Sequence, residues 1–373
     1  MKNSFGSAVS ITIFGESHGN AIGAVLDGLT PGVTVDEEFI AKQMSKRRSV
    51  ASVSTARREA DEVKILSGVL NGKTTGTPIT LMIENHNTRS SDYANTATVA
   101  RPGHADYTAY EKYHGFSDSR GGGHFSGRIT AGITAAGAIA ITALRSKGIF
   151  VGAHVLRICD ISDSPFSEDN ETIKDEILTL SDRIFPTISK TAEEKMTEKI
   201  KSVRAVGDSV GGIIECAVSG MPAGVGEPWF DTVESNLSHI LFSIPAVKGV
   251  EFGSGFAISD MYGSEANDEY AVSDGNIITL SNNNGGILGG ISGGMPIKIK
   301  CAVKPTPSIY KPQKSVDFLT HENRELMIRG RHDPAIVHRA SVVVESAVAL
   351  ALCDMLQIRY GDDYFLPSSE ATY

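Results

Sequence analysis

At 373 residues the chain is long enough for one large core or two smaller ones. Its formal charge of −9 excludes a general nucleic-acid or membrane-surface role, because either needs a basic face. Four cysteines (Cys159, Cys216, Cys301, Cys353) show neither CxxC nor zinc spacing, which excludes a zinc module and predicts apolar core thiols in a reducing, cytoplasmic setting. The early residues show no long apolar stretch of the secretory kind.

Residues 8–14 (AVSITIF) predict a strand that delivers Gly15-Glu16-Ser17-His18-Gly19 at its end, a common way to present an imidazole to a cleft. Asp36 predicts the N-cap of a helix through about Met44, with Glu37 and Glu38 near its positive end. From Lys46 to Arg58 there are five basic residues and no acidic one, which fits a ligand-facing or mobile loop better than a surface helix. Val63–Val69 and Pro78–Ile83 read as strands around the turn-rich NGKTTGT, and 85–100 as a polar connection.

The stretch from Arg101 to Arg128 is the densest in chemistry: arginines, three histidines (His104, His114, His124) and the triple glycine 121–123. Glycines there let backbone approach a ligand, and a glycine-rich loop entering a helix is a ready anion site. It lacks the GK[ST] ending of a nucleotide P-loop. His104 sits in a Pro-Gly turn beside Arg101 and Asp106, where an adjacent anion would favour the charged imidazole. The small-residue run from Ile129 predicts a buried helix to about 147, too short and too soon charged at Arg145 to span a bilayer.

A strand is expected near 149–158, then peripheral helices over Thr172–Phe185 and Thr191–Val203, a strand at Val210–Ser219 and a helix at Thr232–Phe242. SIPAVKGVEFG then returns as a loop and strand. Asn282–Gly294 is rich in glycine and suits close packing against a flat ligand. Ile297, Ile299, Cys301 and Val303 alternate with Lys298, Lys300 and Lys304, a half-buried strand by period. A last helix is expected from Pro334 to about Arg359, with Asp333 as its N-cap and proline at the first helical position. Strands and helices come in groups, which favours α+β, and no linker forces a domain cut. Twelve of the seventeen arginines lie within 44–128 or 324–339, a distribution suited to gathering them on one small anionic ligand.

FGESHG at 14–19, RPGHADY at 101–107, RGGG at 120–123 and GRHDP at 330–334 together resemble chorismate synthase. The resemblance continues through DGLTPG, RREAD, TTGTPI, AVKGVEFG, GGILGGIS and KPTPSI, over most of the chain. It implies one domain over 1–373, a β-α-β sandwich with helices between antiparallel sheets, and a homotetramer. It also implies a carbon–oxygen lyase of the shikimate pathway. That enzyme converts 5-enolpyruvylshikimate 3-phosphate to chorismate and phosphate by trans-1,4-elimination with reduced FMN.

By motif, His18 would protonate the leaving phosphate, His104 the reduced flavin, and Asp333 would serve the flavin N5 position. The flavin cradle would comprise His124, Phe125, Ser126, Pro245, Ala246, Gly289, Lys304, Pro305, Thr306, Pro307, Ser308 and Arg331. Arg48, Arg101 and Arg128 would meet a substrate of two carboxylates and one phosphate, which arginine binds in a bidentate fork. Arg47 stands at a position some relatives use for NADPH.

Two stretches depart from the family pattern. His124-Phe125-Ser126-Gly127-Arg128 stands where many relatives read RSSAR, and the loop 49–53 lacks the PG and second arginine associated with NADPH. The expectation is therefore an enzyme fed by externally reduced FMN, with NADPH a reductant only if the chain is bifunctional. The rival readings are an NADPH-dependent flavin reductase, which the two histidine motifs disfavour, and an anion- or RNA-binding module on the 46–58 loop. The latter conflicts with the acidic charge and the lack of interleaved aromatics.

Overall fold

The structure is a computed structural model that describes residues 2–48, 61–85, 98–273, 275–328 and 332–367. The apolar run at 8–14 forms the strand Ser10–Gly15, which pairs with Ala21–Asp27 in the register Ile11↔Leu26 and Ile13↔Ala24. A five-stranded antiparallel sheet grows from this pair in the order Ser4–Phe5, Ser10–Gly15, Ala21–Asp27, Ile79–Glu84, Lys64–Ser67. Ile79, Leu81 and Ile83 alternate inward, as a strand covered on one face requires. A second five-stranded antiparallel sheet has the order Val247–Phe252, Ile297–Val303, Gly212–Ser219, Phe150–Ile158, Ile161–Ser162.

The helices are α1 (Glu37–Lys46), α2 (Asp106–Tyr113), α3 (Thr130–Ser146), α4 (Asn170–Leu180), α5 (Lys190–Ala205), α6 (Val233–Ser243), α7 (Gly263–Ala266) and α8 (Val337–Tyr360). α3 lies on the first sheet and α8 on the second, and the two pack on each other between the sheets. This is the expected α+β sandwich. The small residues of α3 make the approach possible: a Cβ on Gly137 would fall 2.2 Å from Ser346 Cβ on α8. The stretches Gly127–Ser146 and Val337–Tyr360 are apolar enough to cross a membrane, yet 83% and 94% of their windows are buried in this core. Asp36 caps α1 as predicted, accepting from Phe39 N–H at 2.9 Å.

Four local expectations are corrected. The turn-rich NGKTTGT contributes to a small hairpin, Val69–Leu70 with Lys73–Thr74. Lys298 does not face solvent: the segment before α4 covers it, and its ammonium donates to the Phe166 carbonyl at 2.9 Å and pairs with Glu168 at 2.7 Å. In the glycine run 285–294, Gly285 and Gly286 lie against the chain's own backbone, while a Cβ on Gly289 would meet nothing within 4 Å. A Cβ on Gly286 would stand 2.5 Å from the Pro296 oxygen, and one on Gly285 2.4 Å from Gly253 N. Finally, Asp333 is not a helix cap, because α8 begins at Val337 with Ile336 at its N-cap and no side-chain cap bond.

Candidate functional site

A cavity of about 1020 Å³ opens where the neighbouring segments 101–106 and 115–127 meet 239–248, 304–307 and the N-terminal residues 2–5. Arg101, His104, His124, Phe125, Ser126, Pro245, Ala246, Lys304, Thr306 and Pro307 all line it. Backbone contacts lock the convergence, with Lys304 N–H donating to the Ala246 carbonyl at 2.9 Å and Ser209 Oγ to the Thr306 carbonyl at 2.6 Å.

His104 is held at the cavity wall, its Nε2 2.8 Å from the buried Ser308 hydroxyl. Burial first, and the Arg101 charge second, push its imidazole down to about 4, so it is neutral near pH 7 without a ligand. The expected stabilisation of the charged form is thus reversed. The nearby carboxylate, Asp106, is already spent on a bidentate pair with Arg101, at 2.8 Å to Nε and 2.7 Å to Nη2. His124 Nδ1 lies 2.7 Å from the Gly15 carbonyl, so the hydrogen sits on Nδ1 and ties this loop to the first sheet. Phe125 is 42% exposed, edge-on to Tyr113.

The triple glycine does not lead into a helix. Gly121, Gly122 and Gly123 have φ of 63°, 104° and 53°, and the turn Gly127–Ile129 intervenes before α3. The close approach that Gly121 permits is to His18: a Cβ there would lie 2.0 Å from His18 Cε1. His18 therefore stands behind a cavity-lining glycine. Its Nδ1 is 3.1 Å from Ser17 Oγ, whose hydroxyl donates to the Arg120 carbonyl, so His18 Nδ1 carries the hydrogen toward Ser17.

Beside this loop lies a second cluster. Arg128 donates from Nε to Asn85 at 2.6 Å and from Nη1 to Asp61 at 2.7 Å. Asn85 in turn donates to the Glu16 and Gly19 carbonyls, at 3.0 and 2.9 Å, fixing the His18 loop. Arg47 is buried, its guanidinium hydrogen-bonded to Thr130 and to the Gly127 and Arg128 carbonyls. Those bonds tie it to the start of α3. Arg339 donates to the Arg47 carbonyl at 2.6 Å and pairs with Asp333. Arg48 is exposed at the end of α1.

Of the remaining candidates, Pro305 packs beside Gly211, while Gly289 sits in the exposed turn of the hairpin 287–292, away from the cavity. Gly330, Arg331 and the loop 49–58 lie outside the described residues. Asp61, Asn85, Ser17 and Arg339 were missed by sequence reading, and Asp106 was read only as a neighbour of His104, not as the partner of Arg101. Asp106 carried a signal, lying inside the RPGHADY run; the others depend on chain crossings that no local spacing reveals.

The chorismate synthase family model matches residues 9–357. The chorismate synthase of Pyrococcus abyssi (strain GE5 / Orsay) is 46% identical over 354 residues, covering 95% of this chain and 97% of its own length. That of Lachnoclostridium phytofermentans is 49% identical over 358 residues, 95% of each chain. A solved structure described as the crystal structure of chorismate synthase superposes with a TM-score of 0.76 at 29% identity, over 95% of this chain and 94% of that one.

Proposed function

This chain belongs to the chorismate synthase family, and from that premise we propose which of its residues carry out the reaction and with which flavin. The activity is that of a carbon–oxygen lyase of the shikimate pathway, converting 5-enolpyruvylshikimate 3-phosphate to chorismate and phosphate, and the family needs reduced flavin.

The flavin is FMN, held in the 1020 Å³ cavity. The supporting observation is the cavity's chemistry. Phe125, Pro245 and Ala246 offer apolar surface to a flat ring, and Lys304 offers a cation. Among the described residues the buried Thr306 hydroxyl at the cavity edge has no hydrogen-bond partner. A buried hydroxyl left unpaired costs about 1–3 kcal/mol, so a ligand acceptor or donor there is favoured. His124, Ser126, Pro305, Pro307, Ser308 and Arg331 complete the proposed cradle. Gly289 belongs to it only if another copy of the chain brings that turn across.

A reduced flavin held by these residues would supply the transient electron density that the redox-neutral elimination needs. The chain's own part is to bind anions and move protons. His18, with Nδ1 directed at Ser17, offers Nε2 to the leaving phosphate. His104, neutral without a ligand, would take up a proton as the anionic ligands bind and hold it for the flavin from beside Ser308, and Asp333 serves as acid/base partner next to Arg339. Arg48, Arg101 and Arg128 meet the substrate's carboxylates and phosphate. Since Arg128 is already paired with Asp61, substrate must replace that carboxylate or add to it. NADPH is not required, since Arg47 is committed to the start of α3.

The whole chain acts as one domain, supported by the large hydrophobic cluster from Val9 to Phe365 that spans both sheets, with a smaller one around Phe166 beside it. A homotetramer is supported by Trp229, Phe230 and Phe256, each more than 80% exposed. A cytoplasmic site of action is consistent with the unpaired cysteines. No membrane or nucleic-acid partner is proposed. The flavin site is tested by anaerobic titration of reduced FMN. Thr306→Val and Phe125→Ala are expected to weaken binding, with Trp229→Ala as the unaffected control. Unchanged affinity in both cavity variants would put the flavin elsewhere.

A further inference from the structure

Asp106 is the first residue of α2, where an acidic side chain ordinarily complements the helix dipole. Its carboxylate is instead folded back onto the preceding turn. Oδ2 accepts from the Arg101 backbone N–H at 2.9 Å and from Arg101 Nε at 2.8 Å, while Oδ1 accepts from Nη2 at 2.7 Å. One side chain thereby ties both ends of the turn 101–106. His104 rides on this turn, its N–H donating to the Arg101 carbonyl at 3.1 Å. On the opposite side Lys304 Nζ donates to the Gly103 carbonyl at 2.6 Å, and a Cβ on Gly103 would stand 2.8 Å from Pro307. The backbone under the imidazole is clamped from two directions, and Ser308 fixes the ring itself.

The electrostatics single out the same residue. Arg101, Asp106, Lys304 and His332 face the imidazole, and Asp106 is the acid that opposes the effect of the others. A bidentate partner cancels most of the field of a neighbouring guanidinium. Asp106 itself is held below the ordinary carboxylate range, burial working against ionisation and the Arg101 hydrogen bonds and charge outweighing it.

We propose that Asp106 is a positioning residue for His104: it fixes the turn that presents the imidazole to the cavity and offsets the Arg101 charge beside it. The inference rests on the reading of His104 as the proton donor on the flavin side. Without Asp106 the turn loosens and the imidazole becomes harder to protonate, so the loss falls on turnover more than on substrate affinity.

The test is a double-variant cycle in the full-length enzyme, with ¹⁵N shifts of the His104 ring as a readout independent of turnover. Asp106→Asn is expected to lower kcat about tenfold or more with KM nearly unchanged, a loss within the scale of an impaired general acid. In a His104→Ala background the same change is expected to cost less than about twofold, because residues acting through one another are not additive. At neutral pH the wild-type ring is expected to show one tautomer held against Ser308, and the Asp106→Asn ring an average of two. Equal losses in both backgrounds, or an unchanged ring spectrum, would overturn the proposal. If Asp106→Asn does not fold, Asp106→Glu keeps the charge, and it is expected to hold the alkaline limb of the kcat profile, where the proton donor is lost, in place at reduced kcat. A helix-start role alone would lower Tm and leave limb and kcat untouched, again overturning it. Near-normal turnover of His104→Ala would sink the assignment of His104 itself, while the ring spectrum would still decide the role of Asp106.

Discussion

Gly121→Ala tests whether the position of the His18 imidazole matters to catalysis. The glycine has φ +63° and ψ 3°, left-handed backbone that costs an alanine roughly 1 kcal/mol. The larger effect is steric. A Cβ would stand 2.0 Å from His18 Cε1 and 2.2 Å from Nδ1, whereas ordinary contact begins at 3.4 Å, so the ring must retreat by about 1.4 Å. Ser17 Oγ, 3.0 Å from the same Cβ, blocks the simplest retreat and loses its bond to the ring if the ring turns. A displacement of about 1 Å of a reacting group can cost on the order of 10²-fold in rate. Gly122→Ala is the matched control: φ +104° carries comparable backbone strain, but its Cβ would meet nothing nearer than Ser126 Cβ at 3.8 Å. Gly127→Ala, with nothing within 4 Å, controls for substitution in this loop. Steady-state kinetics with excess reduced FMN, alongside Tm, should show Gly121→Ala down about 100-fold in kcat/KM. Gly122→Ala should lose stability and little rate. Equal activities of the two variants would mean that the His18 ring position is not used, and the assignment of His18 to the leaving phosphate would fall with it.

Because Asp333 pairs with Arg339 and does not cap α8, Asp333→Asn and Asp333→Ala should lose similar stability, about 1 kcal/mol or less for a partly exposed ion pair. Both should lose most turnover; a much larger melting loss for alanine than for asparagine would restore the capping role, and a fully active asparagine variant would remove the catalytic one. His154, wholly buried, lies 3.0 Å from Glu215 and 3.4 Å from Asp163. Burial alone would lower its value, yet the two carboxylates outweigh it and raise it above the ordinary 6.5. Its contribution to stability is therefore fully present below about pH 6.5 and lost as pH rises through the raised value. Denaturant unfolding from pH 6 to 10 should show that decline in the wild type and not in His154→Gln, and parallel profiles would contradict it. Purified enzyme given 5-enolpyruvylshikimate 3-phosphate, NADPH and oxidised FMN in air should form no chorismate, and steady formation would show that it reduces its own flavin.

Local pattern carried much of this fold. Asp36 followed by Glu37 and Glu38 is a helix start whose hydrogen bonds all lie within four residues, and the small-residue period of α3 has one burial solution. What failed was long-range. Asp333-Pro334 has the local form of a cap, but Arg339 in the first turn of α8 captures the carboxylate and the helix begins later. Lys298 alternates with apolar neighbours as an exposed residue would, yet the segment carrying Phe166 and Glu168 folds over it. The site was legible as motifs and illegible as electrostatics: His104 looked like an imidazole beside an anion, and the burial and the Arg101 charge that outweigh Asp106 are visible only in three dimensions. The glycine motif announced a close approach without saying that the approaching group was His18.

The most direct measurement is an anaerobic single turnover in which enzyme with photoreduced FMN is mixed with 5-enolpyruvylshikimate 3-phosphate in the absence of NADPH. The expected result is chorismate and phosphate in equal amounts, with the flavin still reduced at the end, and loss of that turnover on Thr306→Val and His104→Ala. Product formation at the wild-type rate in both variants, or net flavin oxidation matched to product, would contradict the placement of the reaction in this cavity.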